Sequence, residues 1–237
     1  CGSTRLQMKG YGTEQVEEEL SLILPKLRVS RLDLDSTRSK NSYQRIISDF
    51  EDGKIDVLTG TQMVTKGLDF DRVALVGILN ADGVINFPEF RAYERAFQLM
   101  AQGAGRAGRK NRQGMVLIQT YNPSHPVIQY VIGNDYKGMY ESQINDRKRF
   151  KYPPFYRLIH LTIKHTDNFT AIKAADVLAS MLRKSFQSRI LGPDSPPISR
   201  LKNFYLRSIY IKLEKGINLT ASKEHILDCI RLLNEQA

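Results

Sequence analysis

Gln102-Gly103-Ala104-Gly105-Arg106-Ala107-Gly108-Arg109 is the segment on which the fold turns, because its glycines can be read as two different architectures. Gly103 to Gly108 fits the G-x-G-x-x-G fingerprint of a dinucleotide-binding fold letter for letter. That fingerprint requires a strand directly before the glycines and an acidic side chain about 20 residues further on. Here Arg91 to Gln102 has helical spacing, with Tyr93, Ala96, Phe97, Met100 and Ala104 on one face, and no acid occurs between Glu94 and Asp135. A phosphate-binding P-loop is excluded as well, since Arg109-Lys110 stands where Lys followed by Ser or Thr is needed. What remains is a helix that ends in two guanidiniums three residues apart, among small residues that let another surface come close. A planar, permanently charged fork suits phosphate oxygens whose charge grows during transfer. Two basic groups complementing a helix C-terminus is the plainer account, and it explains the charges but not the glycines.

Outward from this segment, helical and strand patterns alternate. Gly12-Thr13-Glu14 places a capping Thr and an acidic first turn before Val16, Leu20, Ile23 and Leu24, and Pro25 closes that helix. Arg28 to Leu34 alternates like a strand, and Ser42 to Phe50 sets Tyr43, Ile46, Ile47 and Phe50 at helical spacing. Val57-Leu58, Val73 to Leu79 and Met115 to Ile118 read as short buried strands. Strands alternating with helices imply βαβ units around a parallel sheet, so the fold class is α/β. Thr59-Gly60-Thr61 ends one strand, and the polar turn to Gly67-Leu68-Asp69-Phe70 sets hydroxyls and N–H groups at its C-terminal edge, where open α/β sheets bind ligands.

After Tyr121 the rhythm changes. Val127 to Phe150 predicts one helix, and Tyr152-Pro153-Pro154-Phe155 is stiff, extended punctuation. Beyond it come a strand (Arg157 to Lys164), a helix (Phe169 to Phe186), a loop at Gly192-Pro193 and Pro196-Pro197, a strand (Tyr205 to Leu213) and a helix (Ser222 to Asn234), a small α+β domain. The expected boundaries are 11–121 for the α/β domain, 122–155 for a helical linker and 156–237 for the α+β domain.

The 237 residues are 41% hydrophobic and 25% charged, the balance of a folded chain rather than a collagen-like, coiled-coil or disordered one. No apolar run approaches the roughly 20 residues of a membrane span, and no signal-type leader is seen, so the expectation is a cytoplasmic protein with no membrane partner. Cys1 and Cys229 are too few for a disulfide framework. The net charge is +10, of which residues 151–237 carry +7, which suits nucleic-acid phosphates as well as a merely solvated basic face. In that region Arg157, Lys164, Arg200, Lys202, Arg207 and Lys212 interleave with Tyr156, Phe204, Tyr205 and Tyr210. Aromatics beside cations can stack bases and pair phosphates, although strand alternation turns about half of them toward the core. Cys229 reads as a small core residue with no activating base as a helical neighbour, and His125, His160, His165 and His225 show no metal-ligand spacing.

Thr61 to Asp69 and Gln102 to Arg109 resemble motifs V and VI of the second motor lobe of superfamily 2 helicases, in the expected order and at a plausible distance. With Gly12-Thr13-Glu14, Thr65-Lys66-Gly67-Leu68-Asp69-Phe70 and Tyr152-Pro153-Pro154-Phe155, nearly the whole chain is similar to the bacterial replication-restart helicases. Gly103 departs from that pattern, since a larger apolar residue is expected there. The resemblance implies a RecA-like lobe followed by a C-terminal DNA-binding domain, and an ATP-dependent, Mg²⁺-using DNA helicase acting on abandoned replication forks. It gives Arg106, Arg109 and Gln102 catalytic roles at the nucleotide, Gly67 and Asp69 a part in nucleotide binding and lobe coupling, and Thr61 a DNA phosphate; Lys202 and Arg207 are the DNA-binding candidates in the last domain. It further implies forked and single-stranded DNA, primosome proteins and single-stranded-DNA-binding protein as partners. Residues 1–10 resemble the end of a zinc element with Cys1 as its last ligand, so zinc is expected in a full-length protein and not here, because a tetrahedral site needs four ligands. The Walker A motif lies in a further lobe in that family, so this region alone is expected not to hydrolyse ATP. A stand-alone nucleic-acid-binding module is the competing class, and a branch-migration translocase is disfavoured by the Tyr152–Phe155 linker and the C-terminal domain.

Overall fold

The computed structural model describes residues 12–33, 40–61, 70, 72–108 and 114–235, and the chain divides into two units, Cys1–Met139 and Tyr140–Ala237. The first begins with α1 (Thr13–Ile23), β1 (Val29–Leu32), α2 (Lys40–Glu51) and β2 (Val57–Gly60). β1 and β2 pair in parallel, Val29 opposite Val57 and Leu32 opposite Gly60. Parallel neighbours need a crossover, and α2 supplies it, burying Ile47 with Tyr43, Ile46 and Phe50 around Leu32 and Phe70. Phe50 and Phe70 meet edge to face, their centroids 4.8 Å apart.

β3 (Leu75–Ile78) and β4 (Met115–Ile118) form a second parallel pair, Leu75 opposite Met115, joined through α3 (Ala81–Ile85) and α4 (Ala92–Ala104). α4 forms because Ala96, Phe97 and Met100 recur at helical spacing, and these pack with Ala81, Ile85, Val127, Ile128 and Val131 as the core of this half. The strands expected to be buried throughout instead alternate: Val76, Ile78, Val116 and Ile118 are half-buried, whereas Leu75, Met115 and Leu117 are exposed. α1 buries no residue fully, and its cap differs from the sequence expectation. Gly12 occupies the cap position with no side-chain cap, and the Thr13 hydroxyl donates to Asp33 Oδ2.

The single helix expected over Val127 to Phe150 is two, α5 (Pro126–Ile132) and α6 (Tyr136–Arg149). Gly133 caps α5, Asn134 adopts φ +49°, and the Asp135 carboxylate accepts from Gly138 N at 2.8 Å to start the next helix. Asn tolerates the left-handed region and Asp competes for backbone N–H groups, so this pair breaks the helix where apolar spacing alone would carry it on.

The second unit holds β5 (Tyr156–His165), α7 (Asn168–Phe186), β6 (Ile190–Asp194), β7 (Arg200–Leu201), β8 (Phe204–Glu214) and α8 (Leu219–Glu235). β8 is central, antiparallel to β5 on one side and β6 on the other, with β7 folding back on its start. Ile209, Ile211 and Leu213 of β8 point one way and are buried under Leu178, Leu182 and Phe186 of α7 and Ile226 and Cys229 of α8. Each such side chain contributes about 1.5–3 kcal/mol. The expected loop at Gly192-Pro193 is part of β6. The ladder is irregular between Leu191 and Asp194, and Gly192 takes φ +91° with its Cα against β8, so a side chain there would meet the Ser208 carbonyl at 2.7 Å. Breaker residues inside a strand mark such a bulge as readily as a loop.

Candidate functional site

The glycine–arginine segment closes α4. Gly103 is buried inside the helix, and a Cβ there would lie 3.4 Å from Ile78 Cδ1 and 3.7 Å from Val76 Cγ1. The β3 side chains therefore occupy the space that a larger residue at 103 would need. Gly105 caps the helix, Arg106 N donates to Gly103 O at 3.0 Å, and Gly108, at φ +76°, turns the chain so that its N–H donates to the Val73 carbonyl at 3.0 Å. Left-handed backbone favours glycine, so Gly108 fits this turn better than any side chain. Gly114 completes the cradle, because a Cβ on it would fall 2.2 Å from Gly108 N and 2.4 Å from the Ala107 carbonyl carbon. The result fixes Arg106, half-buried, one turn beyond exposed Gln102. Arg109, Gly67, Asp69 and Cys1 lie outside the described residues.

Thr61 follows β2 directly and is exposed at the C-terminal edge of the first parallel pair. Beside it in register is the end of β1, where the structure assembles a network that the sequence reading missed. Arg31 Nε lies 3.4 Å from Asp33 Oδ2 and 3.6 Å from Glu17 Oε2, and Asp33, only 8% exposed, also accepts the Thr13 hydroxyl. The alternation Arg31-Leu32-Asp33 was the available signal, since it sets both charges on one face of the strand.

In the second unit the two DNA-binding candidates part company. Lys202 is exposed at the turn between β7 and β8, with φ +54°. Arg207 lies on the helix-covered side of β8, where its guanidinium donates to Asn168 Oδ1 at 3.1 Å and to the Ser195 hydroxyl. The opposite side of the sheet carries Tyr156, His160, Phe204 and Tyr210 with Lys164 and Lys212. His160 and Tyr210, paired across β5 and β8, stack with centroids 4.3 Å apart and planes 11° apart, and His160 Nε2 is 2.9 Å from Ser208 Oγ. Lys164 Nζ lies 5.5 Å from the Phe204 ring centroid. Lys212 Nζ sits 3.6 Å over the Tyr152 ring and donates to Phe150 O, and burial, then Lys151, pushes its pKa down. Glu214 is held below the usual carboxylate range by the hydrogen bond from Arg189 at 2.7 Å. Cys229 lies in the core, its pKa raised by burial, although His225 Nε2 stands 3.8 Å from its sulfur, a helical neighbour that the sequence reading had passed over. Among the described residues no group of three His, Cys, Asp or Glu could hold a metal ion, and no helix is long and apolar enough to cross a membrane.

The first unit thus sets a half-buried arginine on a glycine-built helix end among parallel strand pairs with crossover helices. The fold is that of a RecA-like lobe, with a small α+β domain after it. Residues 10–111 match the helicase conserved C-terminal domain, and residues 148–230 match the primosomal protein N C-terminal domain. The replication restart protein PriA of Bacillus subtilis is 41% identical over 230 residues, which cover 96% of this chain and 29% of that protein. The replication restart protein PriA of Synechocystis is 37% identical over 228 residues (95% and 27%), and that of Borreliella burgdorferi 34% over 231 (94% and 35%). The chain spans about a third or less of the length of these relatives. It belongs to the replication restart protein PriA family.

Proposed function

We propose that the chain forms the second motor lobe and the C-terminal DNA-binding domain of an ATP-dependent DNA helicase that remodels abandoned replication forks, acting within a polypeptide of its relatives' length. The observation that carries this reading is the turn after α4, in which Gly105 caps the helix just before Arg106, Gly108 takes φ +76° and Gly114 has no room for a Cβ against the backbone of Ala107 and Gly108. ATP supplies phosphoryl-transfer chemistry, with Mg²⁺ held mainly by a partner lobe. Arg106 and Arg109 stabilise charge on the γ-phosphate, Gln102 senses the nucleotide, and Gly67 and Asp69 couple it to lobe closure. Thr61, exposed at the sheet's C-terminal edge, grips a DNA phosphate, and the basic C-terminal unit binds forked and single-stranded DNA, with Lys202 in the better position to do so. Primosome proteins and single-stranded-DNA-binding protein are the proposed protein partners, and zinc on Cys1 belongs to the full-length protein.

The test is DNA-stimulated ATP hydrolysis by the full-length protein carrying Arg106→Ala or Arg109→Ala, with folding and fork binding checked first. An arginine acting on transition-state charge is worth roughly 10³-fold or more in turnover, so a loss of that order with binding retained is expected. Normal turnover by both variants would leave a DNA-binding module without a motor role for these residues.

A further inference from the structure

The two faces of the β5–β8–β6 sheet are built differently. One is aliphatic and covered by α7 and α8. The other presents, in register across three strands, the row Leu191–Tyr210–His160, and near the β7–β8 turn it presents Phe204 opposite Leu201. A sheet face meant for a helix carries Ile, Leu and Val and buries them. This one leaves Leu191 43%, Phe204 40% and Leu201 58% exposed, with His160, Thr162 and Lys164 also open to solvent. Tyr205, by contrast, has the opposite parity on β8 and lies 5.1 Å from the Arg200 guanidinium. The rings on the open side are already ordered: His160 is stacked on Tyr210 and tied to Ser208, so little rotamer freedom is left to lose on binding.

The charge on this face is complementary to a polyanion. Lys164 is exposed beside Phe204, Lys202 is exposed in the adjoining β7–β8 turn, and Lys151 and Lys212 lie at the other end near Tyr156 and Tyr152. Of the acids on this face, Glu214 is paired with Arg189, and Asp194 lies at the bulged end of β6. Rings with flanking ammonium groups are the chemistry that recognises unpaired bases, whose π-faces are free, whereas in a duplex those faces are stacked on one another. Phe204 and Tyr210 are six residues apart on one strand face, which separates the two aromatic positions by roughly 20 Å.

We propose that the open face of the C-terminal sheet binds single-stranded DNA by base stacking, on the His160–Tyr210 row and on Phe204, with Lys164 and Lys202 taking the phosphates. The inference rests on the reading of this unit as DNA-binding and assigns that binding to one face, one strandedness and named rings.

The experiment uses the whole 237-residue chain and fluorescence anisotropy with an oligo(dT) 15-mer, an abasic 15-mer of equal charge and a 15-base-pair duplex. The wild type is expected to bind oligo(dT) at least tenfold more tightly than the abasic strand. Phe204→Ala and His160→Leu, shown folded by circular dichroism, should each weaken oligo(dT) binding by roughly tenfold and leave abasic binding unchanged. Lys164→Gln with Lys202→Gln should weaken both strands alike and lower the salt dependence. As a check on the unmodified chain, 5-iododeoxyuridine in the oligomer should photo-cross-link to Phe204, Tyr210 or His160. Equal affinity for oligo(dT) and abasic strands, or cross-links only to residues outside this face, overturns the stacking proposal while leaving DNA binding standing. Failure to bind any of the three nucleic acids overturns that broader reading as well.

Discussion

Replacing Gly103 by alanine should stabilise the first unit, and replacing it by leucine should destabilise it. The sign follows from the distances around α4. An added Cβ would stand 3.4–3.8 Å from atoms of Ile78 and Val76, ordinary van der Waals contact that needs no movement. Position 103 is helical and buried, so the exchange removes the conformational penalty of a helix-interior glycine, about 0.5–1 kcal/mol. It also buries one methyl group, worth about 0.8 kcal/mol, for a combined gain of about 1–2 kcal/mol. Leucine adds three further carbons into space that Val76 and Ile78 already fill, and overpacking of this kind costs about 1–3 kcal/mol. Because the chain has two units and no tryptophan, a single optical transition would mix their unfolding. Native-state hydrogen exchange of the α4 amides, read by mass spectrometry, isolates the segment, and a gain of 1 kcal/mol slows exchange about fivefold. Faster exchange in Gly103→Ala than in the wild type would refute the packing argument, as would a leucine variant as well protected as the alanine one.

Gly192→Ala should cost about 2–5 kcal/mol, since it adds a Cβ at φ +91° and sets it 2.7 Å from a carbonyl of the central strand; a urea midpoint for the second unit within a few tenths of a molar of wild type would contradict this. The hydrogen bonds from the Arg28 side chain and backbone hold Asp56 down to about 2, against an ordinary 3.8. A depressed carboxyl pKa contributes stability that is fully present above pH 4 and is lost as pH falls through about 2, so Asp56→Asn should flatten that acid limb and leave the neutral region's pH slope unchanged in equilibrium unfolding from pH 2 to 6. In a Cys1→Ser background, Cys229 should react with a thiol reagent at least 100-fold more slowly in the folded chain than in urea, because its sulfur is buried and its pKa raised; fast labelling of the native chain would mean that the α7–α8 core opens readily.

Helices and strands were legible wherever periodicity and punctuation agreed. Met115 to Ile118 is a strand at the residues expected, and the helix ahead of the arginines ends two residues later than its spacing suggested. The misreadings arose where a polar residue formed a contact that periodicity does not report. Thr13 spends its hydroxyl on Asp33, twenty residues away, and the Asp135 carboxylate starts a second helix just after Gly133 and Asn134 end the first. Gly192 and Pro193 carry the composition of a loop but serve as a bulge in a paired strand. The site was legible as motifs and not as surfaces. Spacing placed Arg106 at a helix end, yet the requirement for glycine at 114 comes from backbone approaching backbone, a contact without local sequence signature. Likewise the alternation of Tyr205, Arg207 and Ile209 against Phe204, Leu206, Ser208 and Tyr210 separates the faces of β8, but only the strand register shows His160 beside Tyr210.

Register at one residue and turn position at the other explain why Lys202 and Arg207 divide, although both are basic and five residues apart. Arg207 shares the parity of Ile209 and Ile211 on β8, so its side chain lies on the face that α7 covers, whereas Lys202 precedes β8 and lies in the turn. Its guanidinium ties the start of α7, through Asn168, to the loop after β6, through Ser195, so that its charge serves the packing of the domain. Lys202 stands at the turn next to Phe204 and is free of that duty by position, since residues at the tip of a hairpin have no sheet above them to join. Removal of Arg207 should therefore act on the unfolding of the second unit before it acts on DNA, and removal of Lys202 should do the reverse. Strand parity at Arg207 and turn position at Lys202 thus separate two basic residues that net charge alone would count alike.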